Sequence, residues 1–273
     1  MRRLFALPLI AALLGGAGPV PPQRPRRIVS LNLCADQYLL ALADPGQIVA
    51  LTQFARDPEM SAAAGKARAF HSTRGSAEEV LALRPDLILA TPGRRRETMA
   101  RLQGRDIATL DVSFANNYAD IVAQIRSVAA AVGHPARGEA LIVHMDRQLA
   151  SIPATAGRGA VAAYYQRRGF LTGTGTLIDD LMQRVGLRNL AAKLGKPALA
   201  RVGLEEMAMA RPDYLIVETA TDQVQDQGTE MLHHPVLAPI PRLRLPQAWT
   251  VCGGPAYVEA ARALASQLGG KRK

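Results

Sequence analysis

Residues 76–90 read SAEEVLALRPDLILA, and residues 203–217 read GLEEMAMARPDYLIV. At one fixed offset Glu78, Glu79, Arg84, Pro85 and Asp86 return as Glu205, Glu206, Arg211, Pro212 and Asp213, and the apolar positions around them match in kind. Each copy has helical spacing up to Arg-Pro, where proline disfavours the helical conformation in the residue before it. A short apolar run then reads as a buried strand. One helix-to-strand corner written twice predicts two lobes of similar construction. Ser76 and Glu79 have the spacing of a capping box, in which the serine and the glutamate each satisfy one free backbone N–H; Gly203 and Glu206 repeat it with a weaker cap. Glu78 and Glu205 have no such local role. Each stands in a first helical turn, where the helix dipole favours a negative charge by roughly 0.3–1 kcal/mol, with its carboxylate able to point outward.

The rest of the chain follows the same rhythm. RIVSLNL (27–33), QIVALTQF (47–54), DLILAT (86–91) and DIATLDVS (106–113) read as strands, and ADQYLLALAD (35–44) and RRETMARLQG (95–104) read as the helices between them. Alternation of this kind favours a parallel sheet covered by helices. After two helical segments, broken at Gly133-His134-Pro135, the alternation restarts with AVAAYYQ (160–166), TLIDDLMQRVG (176–186) and DYLIVET (213–219), with MLHHPVLAPI (231–240) read as a short helix and a closing helix over 254–268. The predicted fold is α/β, two lobes with parallel-type sheets flanked by helices and bridged by one long helix. The expected organisation is a signal peptide (1–18), a linker (19–26), an N-terminal lobe (27–133), the bridging helix (134–157), a C-terminal lobe (158–268) and a basic tail (269–273).

The signal peptide is read from Arg2 and Arg3, the apolar run Leu4–Leu14 and the small residues GGAG. That run is too short for a membrane span, which needs about 20 apolar residues. Export to the periplasm is expected. The formal charge of +10 is concentrated at the ends: eight of 33 basic residues lie in the tails, leaving 25 against 23 acidic residues over 28–270. A nucleic-acid partner, which calls for a basic folded surface, is not expected.

RRIVSLNLCADQYLLAL, SAEEVLALRPDLILA, GFLTGTGTLIDDLMQRVGLRNLA, LEEMAMARPDYLIV and WTVCGGPAYVEAARALA, in this order and spacing, resemble the iron-siderophore and cobalamin (class III) type of periplasmic substrate-binding protein, which serves ABC importers. The resemblance covers residues 27–268. It implies a ligand held between the lobes, a metal chelate such as cobalamin, a ferric siderophore or haem, and a monomer without catalytic residues, cofactor or resident metal. It also implies that one glutamate per lobe, here Glu78 and Glu205, docks on arginines of the permease's membrane subunits. Such pairs can be bidentate and so orient as well as attract.

Ligands of α/β sheets bind beyond the carboxyl ends of the strands. The loops there hold the candidate ligand-binding residues Asn32, Phe54, His71, Arg94, Phe114, Tyr165, Gln166, Arg167, Phe170 and Trp249. The aromatics suit an apolar-walled cleft, with core packing as their competing role. The arginine clusters 94–96 and 167–168 suit an anionic ligand, with solvated loop charge as theirs. GTGTLI (173–178) lacks the third glycine and the lysine of phosphate loops; it reads as a strand-to-helix turn whose N–H groups face the ligand. Cys34 and Cys252 fall in loops of different lobes, and three fates stay open: a disulfide, which export favours and which needs Cα atoms within about 7 Å, two free thiols, or contact with ligand or metal. Two rival functions carry different residues: an exported thiol enzyme using Cys34, and a ligand-sensing module without a transporter, in which Glu78 and Glu205 have no meaning.

Overall fold

A computed structural model of the chain describes residues 24–91 and 96–270. The signal-peptide segment, Arg94 and the last three residues lie outside them. Strands β1 (Ile28–Ser30), β2 (Ile48–Thr52), β3 (Ser72–Thr73), β4 (Leu87–Ala90) and β5 (Ala108–Asp111) form the first sheet in the order β3-β2-β1-β4-β5. Every pairing in it is parallel, because helices α1 (Leu33–Leu42), α2 (Ala64–Ala67), α3 (Ala77–Ala82) and α4 (Arg96–Leu102) carry the crossovers. Helices α5 (Tyr118–Ala131) and α6 (Pro135–Ala150) follow.

The second half contains β6 (Val161–Gln166), β7 (Phe170–Thr172), α7 (Leu177–Arg184), β8 (Arg188–Asn189), α8 (Leu190–Lys193), β9 (Leu199–Arg201), α9 (Leu204–Ala210), β10 (Tyr214–Glu218), α10 (Gln227–Glu230), β11 (Arg242–Leu245) and α11 (Tyr257–Gly270). Its sheet runs β11-β10-β6-β7-β9, with β8 also on β6. The strands β11, β10, β6 and β8 are parallel, whereas β7 runs antiparallel to β6 and β9 antiparallel to β7. Among the described residues no helix is long and apolar enough to cross a membrane.

Helix α6 starts with Pro135 in its first turn and ends at Ala150, before the expected 157. Pro153 explains the early stop, since it bars the residue before it from continuing the helix. The segment MLHHPVLAPI is not one helix but two three-residue turns separated at His234, where Pro235 cannot donate the next hydrogen bond.

The repeated phrase is one corner in three dimensions. Arg84 and Arg211 both take the left-handed conformation, with φ of 45° and 44°, one residue before each proline, so the chain leaves its helix ahead of Pro85 and Pro212. The aspartates that follow do more than turn the chain. Asp86 accepts hydrogen bonds from the N–H groups of Arg26 (2.7 Å) and Arg27 (2.9 Å) at the start of β1. Asp213 accepts from the N–H of Val161 (2.7 Å) at the start of β6. Each phrase therefore fixes its strand beside the first strand of its own sheet.

The largest core does not stop at a lobe boundary. It runs from Ile28, Tyr38 and Leu89 through Ile125 and Met145 to Tyr164, Met182, Tyr257 and Leu264. Smaller cores fill the opposite face of each sheet, around Val29 and Ile88 in the first and around Tyr165 and Val217 in the second. A sheet covered on both faces explains why its strands read as nearly continuous apolar runs.

Candidate functional site between the two sheet edges

The carboxyl ends of the two sheets meet near Cys34 and Cys252. Cys34 follows β1 in the first turn of α1, Cys252 follows β11, and the two form a disulfide with Cα atoms 5.2 Å apart. The Tyr38 hydroxyl donates to the carbonyl of Gly253 (2.5 Å). A Cβ on Gly253 would lie 2.3 Å from that of Ala115, so only glycine allows this approach. Of the three fates open to the cysteines, the structure has the disulfide. Bonded in this way, Cys34 offers no thiolate, and the thiol-enzyme alternative loses its nucleophile.

On the first sheet, Phe54 follows β2 and Phe114 follows β5, and they are 46% and 59% exposed, the two exposed aromatic rings among the described residues. Three strand spacings separate β2 from β5 in the sheet order, so the strands that lead into these loops lie about 14 Å apart. His71 is exposed too, one residue before β3, whose two residues pair with the end of β2. Asn32 plays a structural part, because its side-chain oxygen accepts from the N–H groups of Cys34 (2.7 Å) and Ala35 (3.2 Å) and caps α1. Asp36, which sequence reasoning passed over, is fully buried and accepts from the N–H and hydroxyl of Thr52, tying α1 to the end of β2.

The second sheet corrects several expectations. Tyr165 is 1% exposed and donates to the carbonyl of Val202 (2.7 Å), so it belongs to the core and does not face a ligand. Its phenol is pushed up to about 12, mainly by burial and then by the Glu206 charge. Side chains alternate along β6, and Tyr164 takes the other face, donating to Glu218 (3.0 Å). Burial and then this carboxylate hold the Tyr164 phenol well above its ordinary value, so it stays a donor. Gln166 is committed at both ends of its amide, to Glu218 (3.2 Å) and to the Thr172 hydroxyl (3.3 Å). Arg167 is paired with Asp226. Trp249, just after β11, is half-buried against the main core. Phe170 is half-buried, with the Arg201 guanidinium 5.6 Å from its ring centre.

The GTGTLI turn moves away from the ligand edge because β7 is antiparallel. Its residues emerge at the amino-terminal edge of β6, where Gly173 N–H donates to Ala198 and Gly175 N–H to Asp179. Several cavities among the described residues lie off the carboxyl edges. One of about 620 Å³ is lined by Pro153, residues 155–160, Asp213 and Tyr214 at the amino edge of the second sheet. One of about 570 Å³ borders Thr174 and Asp179. A third of about 450 Å³ lies between α1, α6 and the start of α11. At the carboxyl edge, a cavity of about 700 Å³ opens beside Arg168 and Arg201.

The two corner glutamates differ in surroundings. Glu78 is exposed and lies 3.1 Å from Arg101. Its carboxyl is held below the usual range by its own backbone N–H, then by Ser76 and Arg101. Glu205 is exposed and has no ion pair among the described residues. Glu79 caps α3, accepting from the Thr73 hydroxyl (2.6 Å) and the N–H groups of Arg74 and Gly75. Glu206 does not repeat this: it pairs with Lys196 (2.7 Å), and Gly203 gives α9 no side-chain cap. The Thr73 hydroxyl, followed by the backbone N–H groups, lowers the Glu79 carboxyl below its ordinary 4.5. A lowered folded value means a stabilisation fully present above pH 4.5 and lost as pH falls from there through the lower folded value. Comparison of wild type with Glu79→Gln by thermal unfolding should show a gap at neutral pH that narrows as pH falls below 4.5.

A family model described as periplasmic binding protein matches residues 28–244. The chain is 27% identical over 256 residues to the vitamin B12-binding protein of Pectobacterium carotovorum subsp. carotovorum (strain PC1), covering 89% of this chain and 88% of that one. It is 24% identical over 213 residues to a cobalamin-binding protein of Halobacterium salinarum, covering 76% of this chain and 58% of that protein's length. Among solved structures, the periplasmic heme-binding protein of Roseiflexus sp. RS-1 in apo form superposes with a TM-score of 0.72 at 23% identity, over 90% of this chain and 98% of that one. With a two-sheet architecture shared over nearly its whole described length and a family model matching most of its residues, this chain belongs to the periplasmic binding protein family.

Proposed function

We propose that this is the exported substrate-binding protein of an ABC importer, which captures a metal chelate (cobalamin, a ferric siderophore or haem) between its lobes and delivers it to the membrane permease. The observation that carries the ligand class is the pair of exposed rings, Phe54 and Phe114, in loops of one sheet edge whose parent strands lie about 14 Å apart. Exposed aromatics beyond the carboxyl ends of a sheet mark a binding surface, and two rings offered by separate loops suit a large ligand with flat or apolar faces better than an ion or a sugar. The relatives named for B12, cobalamin and heme support the same class.

Chemistry at this site is non-covalent: aromatic faces and half-buried apolar groups desolvate the chelate, and the buried Glu218 network holds Tyr164 and Gln166 in place beneath it. The lobes, joined by the disulfide and the continuous core, close only slightly. Docking falls to Glu78 and Glu205. Trp249 is the sole tryptophan and stands at this edge. Its fluorescence should change saturably, at one ligand per protein, with at least one of cobalamin, a ferric hydroxamate and haem. No response and no calorimetric heat across that set would overturn the assigned ligand class.

A further inference from the structure

The cavity of about 700 Å³ at the carboxyl edge of the second sheet is lined by Arg168, Arg201, Asp226, Gln227, Gly228 and Met231. Its charges are not balanced. Asp226 is occupied by Arg167 and by the Thr229 N–H (2.8 Å). Neither Arg168 nor Arg201 is paired with a carboxylate among the described residues. The fold nevertheless positions both. The Arg201 Nη2 donates weakly to the Arg168 carbonyl (3.4 Å), and its guanidinium lies over Phe170. Arg168 takes a left-handed backbone conformation (φ 60°) before Gly169, and its stem crosses Gly228 so closely that a Cβ there would come within 3.0 Å of its Cγ. The two exposed guanidiniums outnumber the one carboxylate of the cavity, Asp226, which Arg167 already engages, and the excess positive charge suits carboxylates, which guanidiniums can take bidentately.

We propose that Arg168 and Arg201 form the anion-binding end of the ligand site and that the chelate carried by this protein bears free carboxylates. This rests on the chelate-binding reading above and narrows it, since a neutral chelate has nothing to offer these two groups. Arg167, neutralised by Asp226, acts as a positioning residue for the loop.

The test compares one ferric tetrapyrrole with two free carboxylates against its dimethyl ester, with cyanocobalamin and a neutral ferric hydroxamate as further probes. Wild type should bind the free acid about 10- to 100-fold more tightly than the ester, the range expected when charge-assisted hydrogen bonds are lost. Arg168→Gln with Arg201→Gln should bring the two within about threefold, chiefly by weakening the free acid. Equal affinity of wild type for acid and ester overturns the proposal without any variant. So does discrimination that persists in the folded double variant, or binding confined to the neutral probes, and in that last case the chelate-binding reading survives. Failure of all four probes overturns both.

Discussion

Reversal of Glu78 and Glu205 to arginine together is expected to abolish chelate uptake, by at least 100-fold, while the affinity of the free protein for its ligand stays unchanged. Both carboxylates are exposed, stand in first helical turns and occur at matched corners of the two lobes. Neither contributes to a core, so reversal leaves the fold in place. Against a cationic permease surface, however, each reversal replaces attraction with like-charge contact costing several kcal/mol. The single variants should be unequal. Glu78 already has Arg101 at 3.1 Å and must give it up or share it, whereas Glu205 is unpaired among the described residues and Met209, one turn later on the same face of α9, is 83% exposed. An apolar side chain beside an open carboxylate makes the second corner the stronger anchor, so Glu205→Arg should cost more uptake than Glu78→Arg. Uptake that survives the double change would remove the docking role and favour a sensor that never meets a permease.

Removal of the Cys34–Cys252 disulfide is the other change of large effect. The bond closes a sequence separation of 218 residues, for which the chain-entropy relation gives a loss of about 5 kcal/mol, with 2–5 kcal/mol typical of native disulfides. Cys34→Ser with Cys252→Ser should lower the unfolding free energy by that amount in denaturant titration. The folded state should persist, because the main core spans both lobes without the bond. The same variant should show faster hydrogen exchange at Tyr38, Ala115 and Gly253, whose contacts hold the lobes together beside the bond. Unchanged stability on reduction would mean that the continuous core alone fixes the lobes.

The architecture was legible in the sequence wherever local chemistry determined it. The Arg-Pro-Asp corners ended helices and started strands as read, and the Ser76 cap formed. What could not be read depended on partners distant in sequence. Nothing around Asp86 or Asp213 announces that they would fix the starts of β1 and β6. The three-residue strands β7 and β9 carry no periodicity long enough to recognise, and through them the antiparallel hairpin moved GTGTLI to the far edge and brought Arg201 to the ligand edge. Glu206 was expected to mirror Glu79, but without a serine cap it turned to Lys196 instead.

The candidate site divides along the same line. Phe54 and Phe114, in loops after strands, stand exposed where the topology rule puts a ligand. Asn32, Tyr165, Gln166 and Arg167 lie at the same edge but are committed to a helix cap, the core, the Glu218 network and an ion pair. Residue type and position could nominate them; only their hydrogen-bond partners separate them from the exposed set. Arg201 went unnoticed because its place beside Arg168 comes from strand register, not from sequence spacing.

If one ligand is held jointly by the carboxyl edges of both sheets, hydrogen exchange with and without the chelate that binds most tightly will show it. Exchange should slow in loops of both lobes, at 53–56 and 113–116 in the first and at 166–170 and 249–253 in the second, with the cavity at 155–160 unaffected. Protection confined to one lobe, or centred on 155–160, would contradict joint binding.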